Sequence, residues 1–322
     1  MEKIAATFTD ISTAKEDLNT VSKPAGRLKF YLEEWKKLTS DVRILNWIEG
    51  YKTPFTKTVQ NSSPREPSWS LKEKALAKDH IKKLISKGAI SRCRSQKDQF
   101  LSNIFLIPKP DGSSRLILNL KRLKDFIETD HFKLEDYKVA CKLISPNWFM
   151  GKLDLQDAYY TVPIHKEYRK YLRFSFDDKL FEFNCLPFGL NTAPYVFTKI
   201  MKPVISFLRN LGFISVIYLD DLLLLGNSYS NCLANINASV ELLKKLGFII
   251  NEEKSRIIPS QTCSFLGFII DSQKMNLELS LEKRQKIHKQ IKEFKELNKC
   301  KIRDFAQLIG SLISCCPAIK YD

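Results

Sequence analysis

The sequence predicts an α+β fold that closes on an all-helical appendage. Three observations lead there. Strand-like runs occur in pairs around turn residues, they are mixed with helical stretches rather than strictly alternating with them, and the last stretch carries helical spacing alone. In chain order, residues 1–25 are polar, lack periodicity and end at Pro24-Ala25-Gly26, which reads as a mobile leader. An N-terminal extension at 26–60 follows, with Phe30, Tyr31, Trp35, Leu38, Ile44, Leu45, Trp47, Ile48 and Tyr51 as packing groups. Thr58–Trp69 is a loop by composition. Ser70 and Glu73 form a capping box, so a helix is expected over 70–87, with Leu71, Ala75, Ile81, Leu84 and Ile85 as its apolar stripe and Gly88 as its stop.

Strands are expected at Ser102–Pro108 and Arg115–Leu120 around the 109–114 turn, at Phe149–Leu155, and at Thr161–His165. Tyr171–Phe176 and Leu180–Phe183 make a hairpin across Asp177-Asp178. Pro194–Leu211 is helical, with Pro203 expected to kink or split it. Ile214–Tyr218 and Leu222–Leu225 flank Asp220-Asp221, a helix covers Asn231–Leu246, and Phe265–Ile270 is another strand. Two helices fill 281–314, and no internal repeat is present.

A chain of 322 residues is expected to make two compact units or one large unit with subdomains. Its 44% hydrophobic and 27% charged residues exclude wholesale disorder. The formal charge of +16 favours a polyanionic partner, nucleic acid or an anionic surface. Membrane insertion is not expected, because the greasiest stretch, Phe213–Leu225, holds two aspartates and is shorter than the ~20 apolar residues of a spanning helix. The N-terminus lacks the apolar core of a secretory signal. No C-x-x-C pair occurs among eight cysteines, and the four histidines lie apart, so zinc has no support. An intracellular, reducing compartment, cytoplasmic or nuclear, is expected.

Candidate chemistry begins at Asp220 and Asp221. Two ionised carboxylates inside ISVIYLDDLLLLG are costly without a partner. Taken alone, a partly exposed turn would relieve that cost as well as a shared divalent cation. Asp154 ends another apolar strand and would likewise serve alone as a strand-end cap. Placed beside the Asp220-Asp221 hairpin, it would complete three carboxylates around hard cations such as Mg²⁺. Two such ions lower the pKa of an attacking 3′-hydroxyl and stabilise a leaving pyrophosphate. Residues 65–124 hold 15 Lys and Arg against 5 Asp and Glu, a net +10. Most of these form a solvated face for a phosphate backbone. Lys109 and Arg115, anchored on a strand pair around a tight turn, could from there clamp the β- and γ-phosphates of a nucleotide; without the acid motifs, a purely surface role would be the reading of either.

Six segments in order carry a family resemblance: FLSNIFLIPKPDGSSRLILNLKRL (100–123), GKLDLQDAYYTVPIH (151–165), FEFNCLPFGLNTAPYVFTKIM (181–201), ISVIYLDDLLLLG (214–226), LGFIINEEKS (246–255) and SFLGFII (264–270). The set resembles a reverse transcriptase of the long-terminal-repeat retroelement type. The flanks at 26–55 and 304–316 are similar to DIRS-like retrotransposons, which pair such a polymerase with a tyrosine recombinase. The resemblance implies a right-hand fold: leader 1–25, extension 26–60, fingers 61–150, palm 151–274 with an antiparallel sheet, and a helical thumb from 275 to 322.

Residue by residue, it implies that Asp154, Asp220 and Asp221, with the Leu155 carbonyl, bind two Mg²⁺ ions, with Mn²⁺ as a substitute. Lys109, Arg115 and the backbone N–H groups of Asp157 and Ala158 take the incoming deoxynucleotide triphosphate. Tyr159 gates the sugar, with a core aromatic as the alternative, Tyr160 faces the core, and Gly189 lets the backbone approach the nucleotide or template closely. Phe188 stands where retroviral enzymes often carry Gln. Lys254 protonates departing pyrophosphate, with a plain surface lysine as the alternative. Phe265, Leu266, Gly267 and Phe268 make the primer grip, and Lys283, Arg284, Lys289 and Lys292 give the thumb a basic face.

The implied activity is RNA-directed DNA polymerisation on an RNA template, and on DNA as well, with a template–primer duplex and dNTPs as partners and no membrane. Only about 50 residues follow the primer grip, too few for RNase H, so the chain is expected to be an excised part of a longer polyprotein or a truncated copy. RNase H and other polyprotein domains would accompany it in the full element. The competing expectations are a truncated remnant that binds nucleic acid without catalysis and an RNA-making polymerase; Tyr159 speaks against the second.

Overall fold

The computed structural model of the chain describes residues 23–59, 64, 67–109, 112–297 and 299–319, so most of the expected leader and Pro110-Asp111 of the 109–114 turn lie outside the described residues. In chain order, helices α1 (Leu32–Leu38), α2 (Val42–Gly50) and α3 (Leu71–Ser86) precede strands β1 (Ile90–Arg92), β2 (Ile104–Pro108) and β3 (Ser114–Leu118). Short helices α4 (Lys121–Lys124) and α5 (Tyr137–Leu143) lead to β4 (Phe149–Asp154), β5 (Arg173–Phe176) and β6 (Lys179–Phe183). Next come helix α6 (Ala193–Asn210), the hairpin β7 (Ile214–Tyr218) and β8 (Asp221–Gly226), and helix α7 (Tyr229–Lys245). Strands β9 (Arg256–Ser260), β10 (Thr262–Phe265), β11 (Phe268–Asp271) and β12 (Asn276–Leu279) are followed by helices α8 (Leu281–Lys295) and α9 (Ile302–Ile313). This is the expected α+β class. Among the described residues no helix is long and apolar enough to cross a membrane.

The chain forms two compact units, each discontinuous in sequence: one holds residues up to 131, 157–200 and 245–249, the other 132–156, 201–244 and 250 onward. In the first unit the β2–β3 hairpin stands as its own sheet beside a three-stranded β1-β6-β5 sheet. The N-terminal helices are tied into this unit by buried Trp35, whose Nε1 donates to the Leu246 carbonyl at 3.0 Å. Trp35 meets Phe248 edge-on, and Phe248 meets Phe197, an aromatic relay that explains the aromatic content of 26–60.

The second unit is built on a four-stranded antiparallel sheet ordered β7-β8-β4-β9. Met150, Val216, Leu223, Leu225, Cys263, Phe265 and Ile270 form its buried core with Ala140 and Ile144. Helix α7 is fastened to this sheet by Asn235, whose buried amide donates to the carbonyls of Ile214 (2.8 Å) and Leu225 (3.0 Å). A side chain at Gly151 would run into Ile236 of that helix, so the strand needs glycine there. Helices α8 and α9 meet through Phe294 and Phe305, ring centroids 5.9 Å apart.

Three expectations are corrected, and of the two alternatives for Pro203 the split is excluded. No strand forms at 161–165; Ala158–Thr161 is a 3₁₀ turn and only isolated bridges follow, Pro163 to Cys185 and Ile164 to Tyr51. The buried stripe of α3 is Ala77, Ile81 and Leu84, whereas Leu71, Ala75 and Ile85 are exposed. Pro203 does not split α6. A helix-interior proline costs about 3 kcal/mol, and the fully buried Phe197, Ile200, Met201, Val204 and Leu208 offset it by burial. Residues 265–270 are not one strand but the tip of the β10–β11 hairpin, with Phe265 paired to Phe268 across Leu266-Gly267. Both turn residues have positive φ, as a two-residue turn of this hand requires.

Candidate active site

The three acids named from sequence all lie in the second unit, and register brings them together. In the β4–β8 ladder Asp154 is the direct partner of Asp221, and the Leu155 N–H donates to the Asp220 carbonyl at 2.9 Å. The hairpin turn is Leu219-Asp220, so Asp221 already belongs to the strand. Leu219 has φ +56°, at a position where glycine is usual, which costs about 1–2 kcal/mol. The sheet behind supplies that energy: Leu222, Leu223 and Leu224 are fully buried.

The electrostatics match a cation site. Desolvation raises the Asp154 pKa, repulsion from Asp221 adds to it, and Lys254, Lys152 and a hydrogen bond with Asn251 oppose it. Asp220 is raised too, by partial desolvation and then by Asp221 and Asp154. It stands at the accessible tip of the turn, so half-buried Asp154 is the stronger case. Carboxylates that raise one another's pKa are stabilised by a hard cation with oxygen ligands. The donor set therefore fits Mg²⁺. Among the described residues no three acidic, thiol or imidazole side chains already close on one point. Lys152 Nζ lies 2.8 Å from Asp221 Oδ1. Lys152 and Asp154 share a face of β4 two residues apart, so the lysine occupies the charge beside the acids.

Lys254 sits in the 252–254 turn, exposed, and its charge lowers the pKa of both Asp154 and Asp220. Ser255 Oγ accepts the Asp154 N–H at 3.0 Å, and the Asn251 N–H donates to the Asp154 carbonyl at 2.9 Å. Phe265 and Phe268 of the expected primer grip are buried, leaving Leu266-Gly267 as its tip. Lys283 is not on a free basic face as expected. It lies over the Phe268 ring at 4.0 Å, its Nζ donates to the Ser314 carbonyl at 2.8 Å, and desolvation lowers its pKa. It clasps the helical pair to the hairpin.

The first unit gathers the other named residues. Arg115 on β3 places its guanidinium 4.8 Å from the Phe188 ring centroid, and Phe188 meets both Tyr159 and Tyr160 at 5.4 Å. Tyr160 is buried and its hydroxyl is pushed far up by desolvation, as expected of a core-facing ring; Tyr159 is only half-buried. Gly189 has φ +103°, and a side chain there would strike the Leu118 carbonyl. The close approach it permits in this structure is to strand β3. Lys109 opens the β2–β3 turn, its N–H donating to the Ser113 carbonyl at 2.8 Å. His80 of α3 braces that turn through Ser114 Oγ at 2.8 Å, with a pKa lowered by desolvation and by Lys83 and Lys109. Asp157 and Ala158 begin the 3₁₀ turn that carries Tyr159.

Sequence reasoning missed Lys152, Asn251, Ser255, His80 and Lys87, which pairs with Asp157. Lys152 had a signal, its period-two spacing from Asp154. The others are brought in by folding alone.

The family model described as "Reverse transcriptase (RNA-dependent DNA polymerase)" matches residues 107–270. The chain is 25% identical over 293 residues to the transposon Tf2-3 polyprotein of Schizosaccharomyces pombe, covering 89% of this chain and 20% of that protein. It is 27% identical over 237 residues to the Pol polyprotein of equine infectious anemia virus (strain Wyoming), 67% of this chain and 20% of the relative. The chain thus spans a fifth or less of the curated relatives it matches. Among solved structures, the foamy viral protease–reverse transcriptase in complex with dsDNA superposes with a TM-score of 0.65 at 21% identity, covering 82% of this chain and 53% of that one. The same protein with RNA/DNA hybrid gives 0.62 at 18% identity, covering 88% and 39%.

Proposed function

The chain belongs to the reverse transcriptase family, and on that premise we propose that it is an RNA-directed DNA polymerase, a nucleotidyltransferase that extends a primer with deoxynucleotides. The observation that carries this reading is the pairing of Asp154 with Asp221, with Asp220 hydrogen-bonded at the next residue. These carboxylates would hold two Mg²⁺ ions, or Mn²⁺ in their place, together with the Leu155 carbonyl. When bound, the ions supply the charge that activates a 3′-hydroxyl and stabilises departing pyrophosphate.

The chain's own residues do the rest. Lys109 and Arg115 bind the triphosphate of the incoming nucleotide, with the N–H groups of Asp157 and Ala158. Tyr159 excludes a 2′-hydroxyl by collision. Lys254 offers a proton to the leaving group. Leu266-Gly267 presents backbone to the primer end. In this reading the partners are an RNA or DNA template paired to a primer, as supported by solved relatives described with dsDNA and RNA/DNA hybrid. The polyprotein relatives support origin from a retroelement polyprotein with further domains, among which this reading places RNase H, and the 26–55 and 304–316 flanks support a DIRS-like element; its site of action in this reading is inside the cell.

Primer extension on an RNA template with Mg²⁺ and dNTPs tests the reading. Extension by the wild type and its loss in Asp220→Asn are expected. Nucleic-acid binding without extension would establish a silent remnant instead, and a preference for ribonucleotides would establish an RNA-making enzyme.

A further inference from the structure

Asp157 holds φ +51° and ψ +35°, a left-handed conformation that L side chains rarely adopt. It is the hinge of the turn that carries Tyr159, and contacts on two sides hold it there. On one side Lys87 Nζ donates to both carboxylate oxygens, at 2.8 and 2.7 Å, with the Asp157 side chain only 14% exposed. Lys87 is itself fixed, because it caps the C-terminus of α3 with its N–H directed at the Lys83 and Ile85 carbonyls. On the other side the N-terminal segment bridges the same two places. The Ala25 N–H donates to the Lys87 carbonyl at 3.3 Å, and the Gly26 N–H donates to the Tyr160 carbonyl at 2.7 Å. Buried Leu28 and Tyr31 anchor that segment, Tyr31 packing where Gly247 leaves room for its ring.

Within the turn, the Tyr160 N–H donates to the Asp157 carbonyl at 2.8 Å and Thr161 Oγ to the Ala158 carbonyl at 2.6 Å. The side chain this frame presents is Tyr159, held between Phe188 and Phe197 at 5.4 and 5.5 Å. Removing the Lys87 charge leaves a largely buried carboxylate without its cation at the residue on which the turn hinges.

We propose that Lys87 is a positioning residue for nucleotide selection: its ion pair with Asp157, seconded by the Ala25–Gly26 backbone bridge, fixes where the Tyr159 ring stands against the sugar of the incoming nucleotide. This rests on the polymerase reading above. It also gives the N-terminal extension a task, as the second strut of the same brace. A ring displaced by about 1 Å is enough to change discrimination by tenfold or more.

The test measures equilibrium affinity of the full chain for dGTP and for rGTP, on a dideoxy-terminated primer opposite a template C, beside the melting temperature. In Lys87→Met the preference for dGTP over rGTP is expected to fall about tenfold. Lys87→Arg, which keeps the charge, is expected to recover it. Lys87→Gln, which keeps a donor without charge, should fall between and carries the test if Lys87→Met does not fold. An unchanged preference in the folded uncharged variants, with or without a lower melting temperature, overturns the proposal, since packing alone would then be the role of Lys87. A wild type that prefers dGTP in binding but leaves an unblocked primer unextended would overturn the polymerase reading and leave the brace standing.

Discussion

Two sets of acids, one in each unit, sit in opposite surroundings. In the first, acids meet lysines: Asp157 with Lys87, Asp177 with Lys74, Glu34 with Lys37 and Lys245. The pKa values of Glu34 and Asp177 are lowered despite desolvation, because a cation is at hand. In the second, Asp154 pairs with Asp221 across the β4–β8 ladder, Asp220 stands next to Asp221 in the turn, and the pKa values of Asp154 and Asp220 are both raised. The first arrangement favours the charged acids, and the second opposes them. Lys152 and Lys254 soften the repulsion without removing it. The difference sets apart the acids on which the proposed cation site rests.

The largest expected effect breaks the second arrangement. Asp220→Asn should lower primer extension on the order of 10³-fold or more in steady-state rate. Next, Arg115→Ala in the first unit should raise the KM for dNTP by about one to two orders of magnitude, since it removes a charge-assisted phosphate contact. Its kcat should fall far less, which separates triphosphate binding from the chemistry of the acids.

Melting temperatures sharpen the contrast, because one substitution should have opposite signs in the two units. Asp157→Asn takes the charge from an ion pair and should cost about 1 kcal/mol, a fall of ~2–4 °C. Asp154→Asn takes charge from a repelling cluster and should raise the melting temperature in the absence of divalent ions. Thermal unfolding in chelator measures both. The smallest effect is in pH. Asp154 and Asp220 have raised folded pKa values, so their contribution is fully present below the ordinary carboxylate value and lost as pH rises through the raised values. Glu34 and Asp177 run the other way, contributing above the ordinary value and losing it on acidification. Asp154→Asn should therefore flatten the upper part of the stability–pH curve and leave the acid limb in place.

Much of this was legible beforehand where local chemistry decides. The Ser70–Glu73 capping box forms in full, and Asp177-Asp178, both with positive φ, turn the β5–β6 hairpin as the pairing of their flanks suggested. The three acids could be joined because each interrupts an apolar strand and antiparallel pairing does the rest. Errors arose where burial is imposed from elsewhere. Thr161–His165 looks like a strand because Thr161, Val162 and Ile164 are buried, yet the left-handed Asp157 has already bent the chain into a turn. Lys283 and Lys87 look like any surface lysine in sequence, and only the fold reveals that one lies on Phe268 and the other on Asp157.

Binding of Mn²⁺, followed by electron paramagnetic resonance, tests the central claim most directly. Wild-type protein with a terminated primer–template and dNTP should take up the ion, and Asp154→Asn and Asp220→Asn should each lose most of that uptake while Asp177→Asn, an acid paired with Lys74 in the first unit, keeps it. Equal uptake by the wild type and by Asp154→Asn would contradict the account, because the acids across the β4–β8 ladder would then not be holding the cation.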